Sequence, residues 1–177
     1  MENELVTEEN NVITLAYELR NGGARGKSLE LMDARYPFIF LFGGKKKLLP
    51  AFADNLRGLS EGDSFEFTLT PEEAYGLRHI ENVLELSRAD VPDGMLGEGN
   101  YLTITDDQTG EKFNGRILEW NDEKVKADFN HAMAGRTLHF KGVVLHIRKA
   151  TVEELVRGHY IASDGSRFGD PPRSAGL

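Results

Sequence analysis

The residues most suited to chemistry in this sequence lie in TPEEAYG, residues 70–76, where a single tyrosine is delivered with care. Thr70 suits a helix N-cap, Pro71 suits the first helical position, and Glu73 completes a T-x-x-E capping box. Gly76 follows at once, offering the left-handed turn that ends a helix. The spacing predicts one helical turn whose last side chain is Tyr75. A phenol held this way can donate a hydrogen bond to a bound molecule, or it can simply close a core. Stronger chemistry has no visible parts. With Cys 0 there is no thiolate nucleophile, disulfide framework or cysteine metal site. The histidines at 79, 131, 139, 146 and 159 are dispersed and fall mostly in strand-like stretches, so neither a metal set nor a catalytic triad emerges. No metal or cofactor is expected.

The elements that must position Tyr75 read clearly on either side of it. VITLAYELR, residues 12–20, alternates with Ile13, Leu15, Tyr17 and Leu19 on one face, as a half-buried strand does. NGGARGK is a loop, and SLELMD, 28–33, a short strand with Leu29 and Leu31 on one face. The aromatic run YPFIFLFGG, 36–44, reads as a buried strand stopped by two glycines. LLPAFADNLRG, 48–58, repeats Leu48, Phe52 and Leu56 at helical spacing, with Leu59 next in the series. DSFEFTLT, 63–70, alternates strictly, turns Phe65, Phe67 and Leu69 inward, and hands the chain to the Tyr75 turn.

From about residue 77 to 128 the texture changes to short strands separated by turn clusters such as DDQTG and WNDE. A long strand, TLHFKGVVLHIRK at 137–149, then returns. Its apolar parity changes at Gly142, which predicts a bulge there that re-aims Phe140. Thr151 and Glu154 form a second capping box, opening a short helix that ends near Gly158. Residues 1–11 read as a flexible start, and residues 159–177, rich in Gly and Pro, as a disordered tail.

Composition narrows the function classes. A chain of 177 residues, 40% hydrophobic and 28% charged, is globular and long enough for one domain or a small domain carrying an insert. A formal net charge of -8 with no basic stripe argues against nucleic acid. The acidic, polar start does not read as a secretory signal, and no apolar run is long enough to span a bilayer, so the expectation is a soluble cytoplasmic monomer.

LLPAFADNLRGLSEGDSFEFTLTPEEAYG, together with DFNHAMAGRTLHFKGVVLHIRKATVEELVRGH, resembles the FKBP-type peptidyl-prolyl isomerases of the SlyD branch, over roughly residues 12–159. The resemblance implies an α+β fold: an antiparallel FKBP-like half-barrel sheet wrapped around a short helix (12–76 and 129–158), with a small all-β chaperone domain inserted at 77–128. It implies an aromatic pocket in which Tyr75, Asp33 and Phe140 are catalytic. Tyr17, Phe38, Leu48, Leu49 and Phe52 line that pocket, with His131 or Met133 on the returning segment. The partners it implies are unfolded or proline-containing polypeptides. Asp33 is also readable as a turn residue before Tyr36-Pro37, and Tyr17 as a brace of the sheet.

Four departures from the family pattern stand out. The loop between Tyr17 and Asp33 is long, GGKKKLL carries an extra residue, and Met133 replaces a leucine. Ser87 and Val91 stand where the inserted domain usually offers proline and an exposed phenylalanine. The family's His/Cys-rich tail has no counterpart, so metal handling is not carried over. The competing expectation is a holdase or binding module with little isomerase activity.

Overall fold

Eleven consecutive backbone positions around Tyr17 settle the architecture, because β1 (Asn11–Asn21) has partners on every available edge. It pairs antiparallel with β2 (Lys27–Met32), with β3 (Phe38–Leu41) and with the long return strand β9 (Leu138–Lys149). On its other edge β9 pairs with β4 (Ser64–Leu69), giving the strand order β2-β1-β9-β4 with β3 alongside β1. One short helix, α1 (Pro50–Leu56), lies against this sheet and buries Phe52 and Leu56. The computed structural model describes residues 5–45 and 48–162. The chain divides into two units, Met1–Gly76 with Arg136–Gly176 and Leu77–Gly135.

The first unit is antiparallel throughout, in the α+β class expected. Ile13, Leu15, Leu56, Leu69, Leu138 and Val144 are fully buried in it. Pro50 sits at the first helical position of α1, where its missing N–H costs nothing, and the Leu49 carbonyl accepts from Ala53 N at 3.1 Å. The stretch read as a flexible start is split. Residues 1–4 lie outside the described residues, whereas Thr7 is fully buried and exchanges hydrogen bonds with the backbone of Leu56 and Leu59.

Position 142 differs from its expectation. The register shift between β1 and β9 falls where Thr14 faces His146 and Leu15 faces Val144, so Leu145 is the extra residue. Gly142 instead lies in regular pairing between Tyr17 on one side and Phe65 on the other. A Cβ there would stand 2.2 Å from the Ala16 carbonyl oxygen and 2.7 Å from both Phe65 Cζ and Tyr17 Cβ. The glycine is required by close approach, not by a bulge.

The β2 strand also departs from its reading. Its register shift lets Leu29 bulge, so Met32 and Glu30 share the face of Tyr17 and Leu19, while Leu31 is 68% exposed. The run 36–44 forms strand only over Phe38–Leu41, and Tyr36 is exposed because the preceding residues turn.

At the far end, α2 (Val152–Arg157) carries the expected capping box, and Gly158 takes the left-handed conformation at φ 75°. Glu154 is buried. It takes a two-pronged bond from Arg148 at 2.7 and 2.8 Å, and accepts from the amides of Thr151 and Ile161. The Arg148 bonds hold its carboxyl far below the usual range, at about 2, with the two amides assisting against burial. Of the stretch read as a disordered tail, residues 163–177 lie outside the described residues; Ala162 is buried and Arg148 lies over the Tyr160 ring.

The second unit is a four-stranded antiparallel sheet, in the order β5 (Val83–Ser87), β8 (Lys124–Asp128), β7 (Lys112–Trp120), β6 (Tyr101–Thr105). Val91, Leu102, Ile117, Val125 and Ala127 form its core, with Leu86, Leu96, Ile104 and Phe129 packed against them. It runs past Asp128 to Gly135 because Asn130 clasps the start of the insert. His79 N donates to Asn130 Oδ1 at 2.9 Å, and Asn130 Nδ2 donates to the His79 carbonyl at 2.8 Å.

Two outcomes follow from these contacts. Gly142→Ala will destabilise the first unit by about 2–3 kcal/mol, the usual effect of forcing a methyl into closed packing, and urea titration measures it. Glu154 gives stability that is complete above its unfolded value of 4.5 and is lost as pH falls toward the folded value of about 2. Thermal melting of Glu154→Gln should therefore lie below wild type at neutral pH, and the gap should narrow on acidification.

Candidate functional site

Four rings that the sequence separates widely come together on the inner face of the first sheet. Phe52, from α1, is 4.9 Å from Phe140 in a T-shaped arrangement and 6.2 Å from Tyr17. Tyr17, from β1, is 5.9 Å from Phe140 on β9 and 5.9 Å from Phe38 on β3. Edge-on and tilted aromatic contacts of this kind contribute about 0.5–1.5 kcal/mol each beyond area burial. The cluster therefore holds its own geometry. Phe52, Phe140 and Tyr17 are almost wholly buried, while Phe38 is half-buried.

A fifth ring belongs with them. Phe67, on β4, stacks 5.4 Å from Phe140 and lies 5.8 Å from Phe52. It pairs directly with Phe140 across the strands, which puts both on one face. The strict alternation of residues 63–70 already turned it inward, although the resemblance did not mark it. Leu48 and Leu49 are half-buried residues leading into α1, the helix that brings Phe52 to the cluster.

Tyr75 sits where the chain leaves β4, on a closed turn. Thr70 N donates to Glu73 Oε2 at 2.9 Å, which is one half of the capping box. Ala74 N donates to the Thr70 carbonyl at 3.1 Å, and Gly76 N reaches back to the Pro71 carbonyl at 2.7 Å. Gly76 has φ 80°, the left-handed conformation that suits glycine. The turn holds Tyr75 41% exposed.

The polar pole of the site is a carboxylate, and it is Glu30. The Tyr17 hydroxyl donates to Glu30 Oε1. Burial, then the bond to Glu30, push the Tyr17 phenol far above its ordinary value. Partial burial and the Glu30 charge raise the Tyr75 phenol as well, so both hydroxyls are protonated donors throughout the physiological range.

Asp33 stands apart from this pair. It is exposed, and its Oδ1 accepts from Arg35 N at 2.8 Å and Tyr36 N at 3.0 Å, closing the turn between β2 and β3. The carboxylate that accepts from Tyr17 is thus three residues before the one that the resemblance marks.

His131 and Met133 belong to the second unit. Met133 N donates to His131 Nδ1 at 3.1 Å, His131 is exposed, and partial burial of its ring lowers its pKa. Among the described residues, no group of three His, Cys, Asp or Glu could hold a metal, and no helix is long and apolar enough to cross a membrane.

Chemically, the cluster offers aromatic walls, a phenol at a fixed turn, and a carboxylate already engaged by a second phenol. Nucleophilic displacement has no apparatus here. An apolar surface with one or two directed hydrogen bonds suits recognition of an uncharged group.

No protein-family model matches the chain. It is 35% identical over 157 residues to the FKBP-type peptidyl-prolyl cis-trans isomerase SlyD of Aeromonas hydrophila, an alignment covering 88% of this chain and 71% of that protein. It is 31% identical over 160 residues to SlyD of Vibrio cholerae, covering 89% and 77% of the two chains. The FKBP-type 16 kDa peptidyl-prolyl cis-trans isomerase of Escherichia coli strain K12 is 32% identical over 107 residues, covering 60% of this chain and 72% of that one.

Proposed function

This chain belongs to the FKBP-type peptidyl-prolyl cis-trans isomerases of the SlyD group, and we propose that it accelerates rotation about X-Pro bonds in unfolded or flexible polypeptides. The observation that carries this reading is the meeting of Tyr17, Phe38, Phe52 and Phe140 on one face. Rotation of an X-Pro amide crosses a barrier of roughly 18–20 kcal/mol, set by lost resonance. Nothing is hydrolysed, so the enzyme needs only to favour the twisted amide over the planar one. Twisting removes the charge separation of the resonant amide. An apolar wall around the bond therefore penalises the planar form more than the twisted one.

Phe52 and Phe140 form the floor against which the proline ring packs, with Phe38 and Tyr17 at the side and Leu48 and Leu49 at the entrance. Tyr75 donates to the substrate carbonyl next to proline, with its hydroxyl aimed by the closed turn. Asp33 contributes by closing the turn that leads into the strand carrying Phe38. A thousandfold acceleration requires only about 4 kcal/mol, within reach of ring packing and one directed hydrogen bond. The reaction uses no cofactor. We assign it to a monomer acting in the cytoplasm, in keeping with an acidic, cysteine-free chain.

In the second unit, Leu84, Phe113 and Trp120 pair with residues of the core face, yet each remains about two-fifths exposed. Val91, at the position marked by the resemblance, is 5% exposed and belongs to the core. Uncovered apolar side chains on a small domain are the means of holding an unfolded chain. In this reading the second unit supplies chain binding and raises the local concentration of prolines for the first.

A protease-coupled assay on a short proline peptide tests the enzymatic part. Wild type should accelerate isomerisation well above solvent, and Phe140→Leu and Tyr75→Phe should each lower kcat/KM by about tenfold, as expected for a lost wall or hydrogen bond. A wild-type rate equal to that of solvent would sink the reading. For the second unit, Phe113→Ser with Trp120→Ser should weaken suppression of aggregation of a reduced, unfolded client while leaving short-peptide rates unchanged. Unaltered suppression would remove those side chains from chain binding.

A further inference from the structure

The helix that supplies Phe52 has little of its own to hold it. α1 is seven residues long, with no side chain bonded at its N-cap, no acidic residue in its first turn and no basic residue in its last. Isolated helices shorter than about 12 residues are marginal in water. The place of α1 therefore depends on the packing of Phe52 and Leu56 and on how its open end is tied.

Residues 6–9 tie that end. Thr7 is fully buried, and its hydroxyl, N–H and carbonyl all engage the chain where it leaves α1. The hydroxyl donates to the Leu56 carbonyl, an acceptor of the last helical turn, and accepts from Leu59 N at 2.9 Å. Thr7 N donates to the Leu59 carbonyl at 2.8 Å, and Gly58 N donates to the Thr7 carbonyl at 2.9 Å. Val6 forms a bridge with Ser60, and Arg57 grips Glu9 through two bonds of 2.7 and 2.9 Å. The same segment is fastened to the start of β1, where Asn11 Nδ2 donates to the Val6 carbonyl at 2.9 Å. It thus joins the helix that carries Phe52 to the strand that carries Tyr17, two rings 6.2 Å apart.

From these contacts we propose that residues 6–9 are a strap and Thr7 a positioning residue for prolyl isomerisation, seating the end of α1 so that Phe52 meets Tyr17 and Phe140. The consequence rests on the isomerase reading; the cause rests on the Thr7 bonds alone. The hydroxyl is the part that matters, because it gives its one hydrogen and also accepts, in a position sealed from water. Valine has nearly the same shape without that group. It would leave the Leu56 carbonyl with only the 3.3 Å bond from Leu59 N.

Amide hydrogen exchange, together with kcat/KM on a short proline peptide, tests the strap. Ala53 N and Arg57 N bond to carbonyls four residues back at 3.1 Å and report on α1. Thr7→Val should speed their exchange by about tenfold relative to the amides of the β1–β9 ladder. Where both proteins are fully folded, kcat/KM should fall by about fivefold, since a wall residue held off its place grips the proline ring less well. Thr7→Ser loses the methyl group but keeps the hydroxyl, and should hold both readouts within about twofold of wild type; a merely space-filling role requires the opposite order. If Thr7→Val does not fold, Glu9→Gln, which weakens only the exposed arm, should move the same amides and the rate in the same direction by about twofold.

Faster exchange shared equally by helix and sheet, or a Thr7→Val rate equal to wild type, would overturn the positioning role while leaving the isomerase reading standing. So would unmoved amides and rate in Glu9→Gln where that variant stands in. If wild type itself shows no activity, the isomerase reading falls, and exchange alone decides the strap: α1 amides that keep step with the sheet overturn it.

Discussion

A missing side chain shapes the site more than any present one. β9 is an inner strand of the first sheet, and at position 142 two neighbouring strands bring Tyr17 and Phe65 over its backbone. Any Cβ there would overlap both, along with the Ala16 carbonyl. Because Gly142 leaves that space, Tyr17 can lie close to the strand and still meet Phe140, two residues away on the same face. The ring cluster is therefore a consequence of sheet register. Tyr17, Phe140 and Phe67 come from three adjacent strands, and antiparallel pairing alone fixes their mutual spacing. Only Phe52 must be supplied from outside the sheet, by a helix that buries two side chains.

Much of this was legible because alternation survives in the sequence wherever a strand is buried on one face. The inward sets of β1 and β4 could be read from residues 12–20 and 63–70, and the Tyr75 turn from its caps alone. Reading failed where backbone irregularity resets parity. In β2 the apolar residues Leu29 and Leu31 suggested the buried face, but the bulge at Leu29 puts Met32 and Glu30 inward and leaves Leu31 in solvent. That one inversion hid the carboxylate partner of Tyr17, while Asp33, which the resemblance marks, closes the turn that follows β2. In β9 the change of apolar parity was real, but its cause lies at Leu145, while Gly142 answers to close packing. A single sequence carries no signal that separates a glycine needed for a bulge from one needed for space.

The second unit poses a different physical problem. Its core is five buried side chains with four more packed against them, a small store of apolar burial for a sheet of four strands. Val91 stands at a position where the resemblance implies an exposed phenylalanine, yet the smaller aliphatic side chain is drawn into this core. What remains exposed includes the wide or long side chains Phe113, Trp120, Tyr101 and Met95, beside the aliphatic Leu77, Ile80 and Leu84. Such side chains keep wide contact area at modest entropic loss when they bind. A domain that leaves them uncovered gives up stability that a fully covered core would have.

The two phenols show how little chemistry the reaction demands. Both are held protonated by burial and by one nearby carboxylate, and neither is asked to lose a proton. Tyr17 gives its hydrogen to the protein, which makes it a wall. Tyr75 sits on a turn closed at both ends, by the Glu73 carboxylate at the start and by the left-handed Gly76 at the finish. A donor fixed to the backbone in this way would lose little entropy on meeting a carbonyl, which is what the role proposed for Tyr75 requires. For a barrier made of resonance and not of bond cleavage, such preorganisation matters more than acidity, and the fold invests accordingly in where the hydroxyls stand.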